Sequence, residues 1–177
     1  ILGLPLGISA YFNPTARRVI LWAVEILQTI PALALLGLIM VFMGGGKSTV
    51  IVGLTLYSML PVVPRPFLGL SEVSPAIKEA AVGMGMTPFH RLLRVELPIA
   101  FPVIFTGIRI ATVTAIGAAV FATFVGGGGL GSVIYRGIRT QNMKMILGGT
   151  LSLMLMAVVI DCSMAYVEGR LHRHRRN

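Results

Sequence analysis

Gly46-Lys47-Ser48, inside VFMGGGKSTV (41–50), has the residue types that close a phosphate-binding loop. In such a loop backbone amides cradle the phosphates and the lysine reaches them, and the pattern G-x-x-x-x-G-K-[ST] joins a strand to a helix. Here position 41 is Val41 rather than glycine. The flanks PALALLGLIMVFM and TVIVGLTLYSML are both apolar. The stretch reads as a short glycine turn between two membrane helices, because glycine reaches positive φ without steric cost. We find no second nucleotide motif in the sequence, so ATP, if it matters here, is brought by another polypeptide.

Other residues able to do chemistry are few. Glu25 and Asp161 are carboxylates in or near apolar runs, and Arg109 is a cation within one. An isolated charge in hydrocarbon is costly, so these groups are expected to pair, snorkel or face a cavity. Glu25 has a second reading, contact with a cationic substrate. His90, His172 and His174 lack metal-site spacing, so no metal centre is expected. Cys162 is the single cysteine, which excludes an intrachain disulfide. Nothing in the chain resembles a catalytic constellation.

The elements that hold these residues are membrane helices. Hydrophobic residues make up 55% of the 177, charged residues only 12%, and mean hydropathy is +0.87; soluble domains carry about 25% charged residues. We expect an all-α polytopic bundle forming one transmembrane domain over 1–177, with about five visible spans. The first, ILGLPLGISAYF, is shorter than the ~20 residues a span needs and reads as the tail of a longer helix. The complete spans are expected at 19–43, 49–63, 99–125 and 145–167. Alternating the loops puts ten basic residues on the side of 12–18, 64–98 and the C-terminal tail, and four on the side of 44–48 and 126–144. The positive-inside rule assigns the first side to the cytoplasm. The tail RLHRHRRN then lies on anionic head groups. The net charge of +9 is no nucleic-acid footprint, since the basic residues sit in loops without a stripe of stacking aromatics.

Three features allow two readings each. Gln28-Thr29-Ile30-Pro31 lies within a span, where Pro31 kinks the helix; with Glu25 it lines a translocation path, or it is a packing kink with satisfied polar groups. Gly126, Gly127, Gly128 and Gly129 form a mobile external gate or a tight re-entrant turn. Trp22, Tyr57, Tyr135 and Tyr166 anchor the chain at the interfaces or cage a quaternary ammonium.

One loop is out of proportion, Pro64 to Pro98. Within it EAAVGMGMTPFHRLLRVELP fits E-A-A-x-x-x-G-x9-[IV]-x-L-P through Glu79, Ala80, Ala81, Gly85, Val95, Leu97 and Pro98. Ser74-Pro75 and Thr87-Pro88 are helix starts. Small Ala80 and Ala81 let another surface approach closely, and Gly83 and Gly85 allow a sharp turn between two short helices. That shape suits docking into a groove on a soluble partner.

This string resembles the EAA signature of the permease subunits of binding-protein-dependent ABC importers of the type I fold, and the resemblance runs along essentially the whole chain. EILQTIPALALLGL (25–38), GMGMTPFHRLLRVELPIAFPVIFTGIRIA (83–111) and FVGGGGLGSVIYRGI (124–138) resemble the osmoprotectant branch, which imports glycine betaine, carnitine or choline. The loop departs from that family in beginning with PRPFLGL (64–70), where Pro64 and Pro66 stiffen it. The resemblance implies that Glu79 to Gly85, with Leu97 and Pro98, couples to cytoplasmic ATPase subunits that bind the ATP and Mg. It also implies a second permease copy or paralogue and an extracytoplasmic substrate-binding protein. A methionine-type permease and an ion-coupled secondary transporter are the alternatives; the latter would show inverted repeats and paired midplane carboxylates.

Overall fold

A computed structural model describes residues 3–173, which are helical with short connections. The chain enters through α1 (Gly3–Phe12), a short apolar helix, and turns at Asn13 into α2 (Pro14–Thr29). The Asn13 side chain accepts from the Thr15 and Ala16 amides at 2.9 and 3.2 Å, and Pro14 fills the first helical position.

The expected span 19–43 is two helices, not one kinked helix. Pro31 pushes the residue before it out of the α region, and Ile30 is extended at φ −80°, ψ 121°. As a result α2 and α3 (Ala32–Met43) meet at 99°.

The expected short span at 49–63 is longer than its apolar run suggested. α4 (Lys47–Val62) passes through Pro61, Val63 stays helical, and α5 (Pro64–Ser71) continues it, so Lys47–Ser71 is a single apolar run. Pro64 cannot donate to the Leu60 carbonyl four residues back. The Gln28 amide, reaching across from α2, donates to that carbonyl at 3.3 Å instead.

Beyond α5 come α6 (Pro75–Gly83), α7 (Pro88–Arg91), a π turn (Leu92–Glu96) and α8 (Leu97–Ala118). A 3-10 segment (Ala119–Val125) completes the apolar run Pro88–Val125. The loop expected over 64–98 is thus shorter at both ends, because Leu70 and Leu92 are buried in one core with Ala100 and Ile104. α9 (Leu130–Arg139) and the long α10 (Met143–Arg173) close the chain. Among the described residues three helical runs are long and apolar enough to cross a membrane, four if α2 and α3 make one bent span. The protein is therefore a multi-pass membrane protein. The end of the basic tail, 174–177, lies outside the described residues.

α9 was not expected inside 126–144. It turns its glycines inward: Gly131 packs so tightly on the 3-10 segment that an added Cβ would sit 2.3 Å from the Val120 carbonyl oxygen. Backbone cannot move aside cheaply, so Gly131→Ala should destabilise the fold by about 1–3 kcal/mol. Thermal unfolding in detergent reads this as a lower midpoint. Gly148→Ala, which meets nothing within 4 Å and favours the helix, should leave the midpoint unchanged or slightly higher.

Candidate functional site

The elbow between α6 and α7 is built from local signals. Pro75 begins α6 after Ser74, which makes no side-chain cap bond, although its carbonyl accepts from Ile77 and Lys78 at 3.1 and 3.3 Å. α6 ends in a Schellman arrangement. The Met86 amide donates to Ala81 O at 3.1 Å, and the Gly85 amide to Val82 O at 2.9 Å. Gly85 has φ +76°, the left-handed value this closure needs. Thr87 then caps α7, accepting from the His90 amide at 3.4 Å.

The elbow is anchored below and open above. Lys78 Nζ donates to Tyr11 Oη and to the Leu70 carbonyl, both at 3.0 Å, tying α6 to α1 and α5. Leu70 of α5 and Leu92 of the π turn share the core just described, with Leu4, Ile8 and Tyr11 of α1 packed on it. Above these stems Val82, Met84 and Phe89 are 55%, 72% and 66% exposed. Glu79, Ala80, Gly83 and Gly85 are exposed as well. Ala81 differs from the sequence reading: at 1% exposure it faces the chain's own interior, so its small size serves internal packing while Ala80 stays open to a neighbour. Leu97 is half-buried and Pro98 exposed in the first turn of α8.

The residues read as a path do not converge. Gln28 lines a cavity of about 270 Å³ with Tyr57, Leu60, Pro61 and Thr114. Thr29 donates its hydroxyl to the Ile26 carbonyl, Glu25 is exposed on α2, and Pro31 makes the helix break. A larger, mostly apolar cavity of about 660 Å³ lies between α4 and α8, lined by Ser58, Ile108, Thr112, Ala115 and Ile116 among others.

At the far end of α8 from the elbow, the two glycine turns abut. The Gly46 amide donates to Val125 O at 2.7 Å, and Gly127 to Ala122 O at 2.8 Å. Gly126, Gly128 and Gly129 all have positive φ. Lys47 opens α4 as part of a helix–turn–helix, not the strand–loop–helix a phosphate loop requires.

Arg109 and Asp161 do come together. Arg109 Nε and Nη2 grip the two Asp161 oxygens at 2.7 and 2.8 Å, and Nη1 reaches Glu168 Oε2 at 2.8 Å. Thr106 also donates to Glu168. Glu168 was missed in the sequence. The available signal was its place seven residues after Asp161, two turns on along the same helical face. The network fastens α8 to α10, and Glu25 takes no part among the contacts described.

Comparison with known proteins gives a consistent result. Residues 2–173 match the model of a family described as binding-protein-dependent transport system inner membrane component. The glycine betaine/carnitine/choline transport system permease protein OpuCD of Bacillus subtilis is 43% identical over 175 residues, covering 97% of this chain and 75% of that protein. The carnitine transport permease protein OpuCD of Listeria monocytogenes is 40% identical over 176 residues, covering 97% and 78%. Among solved structures, a chain of the inward-facing methionine ABC transporter MetNI superposes with a TM-score of 0.84 at 25% identity, covering 96% of this chain and 85% of that one.

Proposed function

The chain belongs to the family of binding-protein-dependent transport system inner membrane components, and from that premise we propose that it is the permease subunit of an ATP-driven importer of quaternary-ammonium osmoprotectants: glycine betaine, carnitine or choline. The observation that carries the reading is the elbow, a rigidly capped turn with Val82, Met84 and Phe89 exposed at its tip. Large apolar side chains outside the lipid zone ask for a protein partner. In this reading that partner is a cytoplasmic ATPase, which binds the ATP and Mg, and the permease itself performs no covalent chemistry. The elbow and the C-terminal end of α10 face the cytoplasm, in line with the excess of basic residues on that side. A second copy or a paralogue completes the permease, and a binding protein delivers substrate outside.

Closure of the ATPases moves the elbow. The stems at Leu70 and Leu92 pass the movement to α8 through their shared core. The glycine turn at Gly126 to Gly129 serves as the outer gate, and the cavities beside α8 belong to the path. The substrate class follows the osmoprotectant relatives, to which the identity is 43%, rather than the methionine transporter at 25%.

The test is uptake into proteoliposomes holding the assembled complex and its binding protein. ATP-dependent accumulation of labelled glycine betaine, carnitine or choline, with methionine left outside, is the expected result. Accumulation of methionine alone would move the chain to the amino-acid importers. Uptake driven by an ion gradient without ATP would contradict the importer reading.

A further inference from the structure

The run from the elbow into the bundle contains the π turn Leu92–Glu96, closed by the Leu97 amide donating to the Leu92 carbonyl five residues back. Turns of this kind are uncommon and concentrate at functional sites. Two features favour it here. Pro98 has no N–H to return to the Arg94 carbonyl, so the α register already lacks one bond. Arg91 Nε also bonds Glu96 Oε1 at 2.6 Å. In an α-helix, residues five apart point about 140° away from each other, and it is neighbours three and four apart that meet. The pair fits the π register and not the α register.

Glu96 carries a cost in this arrangement. It is 1% exposed, yet its Oε2 has no hydrogen-bond partner among the described residues. A buried carboxylate that is only half satisfied is unfavourable, and asks for an explanation. The Arg91 side chain, by contrast, is 24% exposed on the elbow side. The turn therefore combines a specific lock with a built-in reason to leave it.

We infer that the Arg91–Glu96 pair latches the π turn, and that releasing it lets the turn revert to the α register and swing the elbow about α8 as the ATPases close. One register step is about 100° and 1.5 Å, a discrete two-state change of the sort that energetic coupling requires. Glu96 is thus a positioning residue that acts through Arg91 and touches no substrate. The inference rests on the importer reading above and adds the element that converts elbow movement into movement of α8.

The experiment measures uptake of glycine betaine, carnitine and choline, and phosphate release with it, in proteoliposomes of the full complex. It compares wild type, Glu96→Gln and the swap Arg91→Glu/Glu96→Arg. Glu96→Gln should assemble and hydrolyse ATP within about twofold of wild type, while uptake per ATP falls about tenfold; the swap should restore most of that ratio. A wild-type ratio in Glu96→Gln, or equal loss of uptake and hydrolysis, would overturn the latch. Spin labels at positions 89 and 101, in a Cys162→Ser background, read the register without transport. Glu96→Gln should shift their separation by a few ångströms, and an unchanged separation would also overturn it. If wild type imports none of the three osmoprotectants, the importer reading fails while the labels still decide the latch.

Discussion

Replacing Arg109 with leucine should remove most of the folded protein from the membrane, roughly a tenfold fall in monodisperse material after detergent extraction. The reason lies on α10. Asp161 receives two bonds from the guanidinium and Glu168 a third. Without Arg109 both carboxylates must ionise near lipid, take up protons or pull away, and each route loosens α8 from α10. Its other close packing is on α9, where Gly149 meets Ile134 and Ile146 meets Gly137, and along its outer face Leu147, Leu151, Met154, Leu155 and Val159 are all more than half exposed. Breaking an ion pair by removing one partner is far worse than replacing the whole network. The triple variant Arg109→Leu/Asp161→Asn/Glu168→Gln should therefore recover much of the yield. Equal loss in the single and triple variants would show that Arg109 acts through something other than these two carboxylates.

Replacing Gly85 with valine should cut recovery of the ATPase with the permease about tenfold, with the thermal midpoint of the membrane bundle unchanged. Nothing lies within 4 Å of an added Cβ, so the change costs no packing inside the chain. What it costs is conformation. A left-handed residue costs an ordinary side chain about 1–2 kcal/mol, and a β-branched one fits worst. The bonds from Met86 to Ala81 and from Gly85 to Val82 should then open, and Met84 and Phe89 should lose their common presentation. Gly83→Ala is the control: Gly83 is helical with open space around it, and alanine there favours the helix. Co-purification by affinity-tagged permease reads both variants. Full ATPase recovery with Gly85→Val would mean that the shape of the elbow does not matter for docking.

Much of the elbow was legible in the sequence because its determinants are local. Thr87, Pro88 and Gly85 act within one turn of themselves, so spacing alone locates them. Long-range geometry was harder to read. Pro31 announced a disturbance but not its size, since the 99° between α2 and α3 depends on what each helix packs against. Pro64 and Pro66 looked like the stiff start of a loop. Pro64 stands inside a helical run where Gln28, distant in sequence, satisfies the carbonyl it leaves free, and Pro66 falls in the first turn of α5. α9 was hidden by the glycines and basic residues around it, although Val133, Ile134, Gly137 and Ile138 recur at helical spacing. Glu168 fell just past the apolar run, and its ties to Thr106 and Arg109 are tertiary. The π turn had one hint, the five-residue spacing of Arg91 and Glu96, which is uninformative until the backbone register is known.

The central claim is that the elbow docks on an ATPase, and a photo-crosslinking amino acid at position 84 tests it most directly. Met84 is 72% exposed at the tip of the elbow. Illumination of membranes containing the whole complex should yield one adduct of permease and ATPase. The same probe at Leu155, 66% exposed on α10 but far along the chain from the elbow, should yield none. An ATPase adduct from position 155 with none from position 84 would contradict the account.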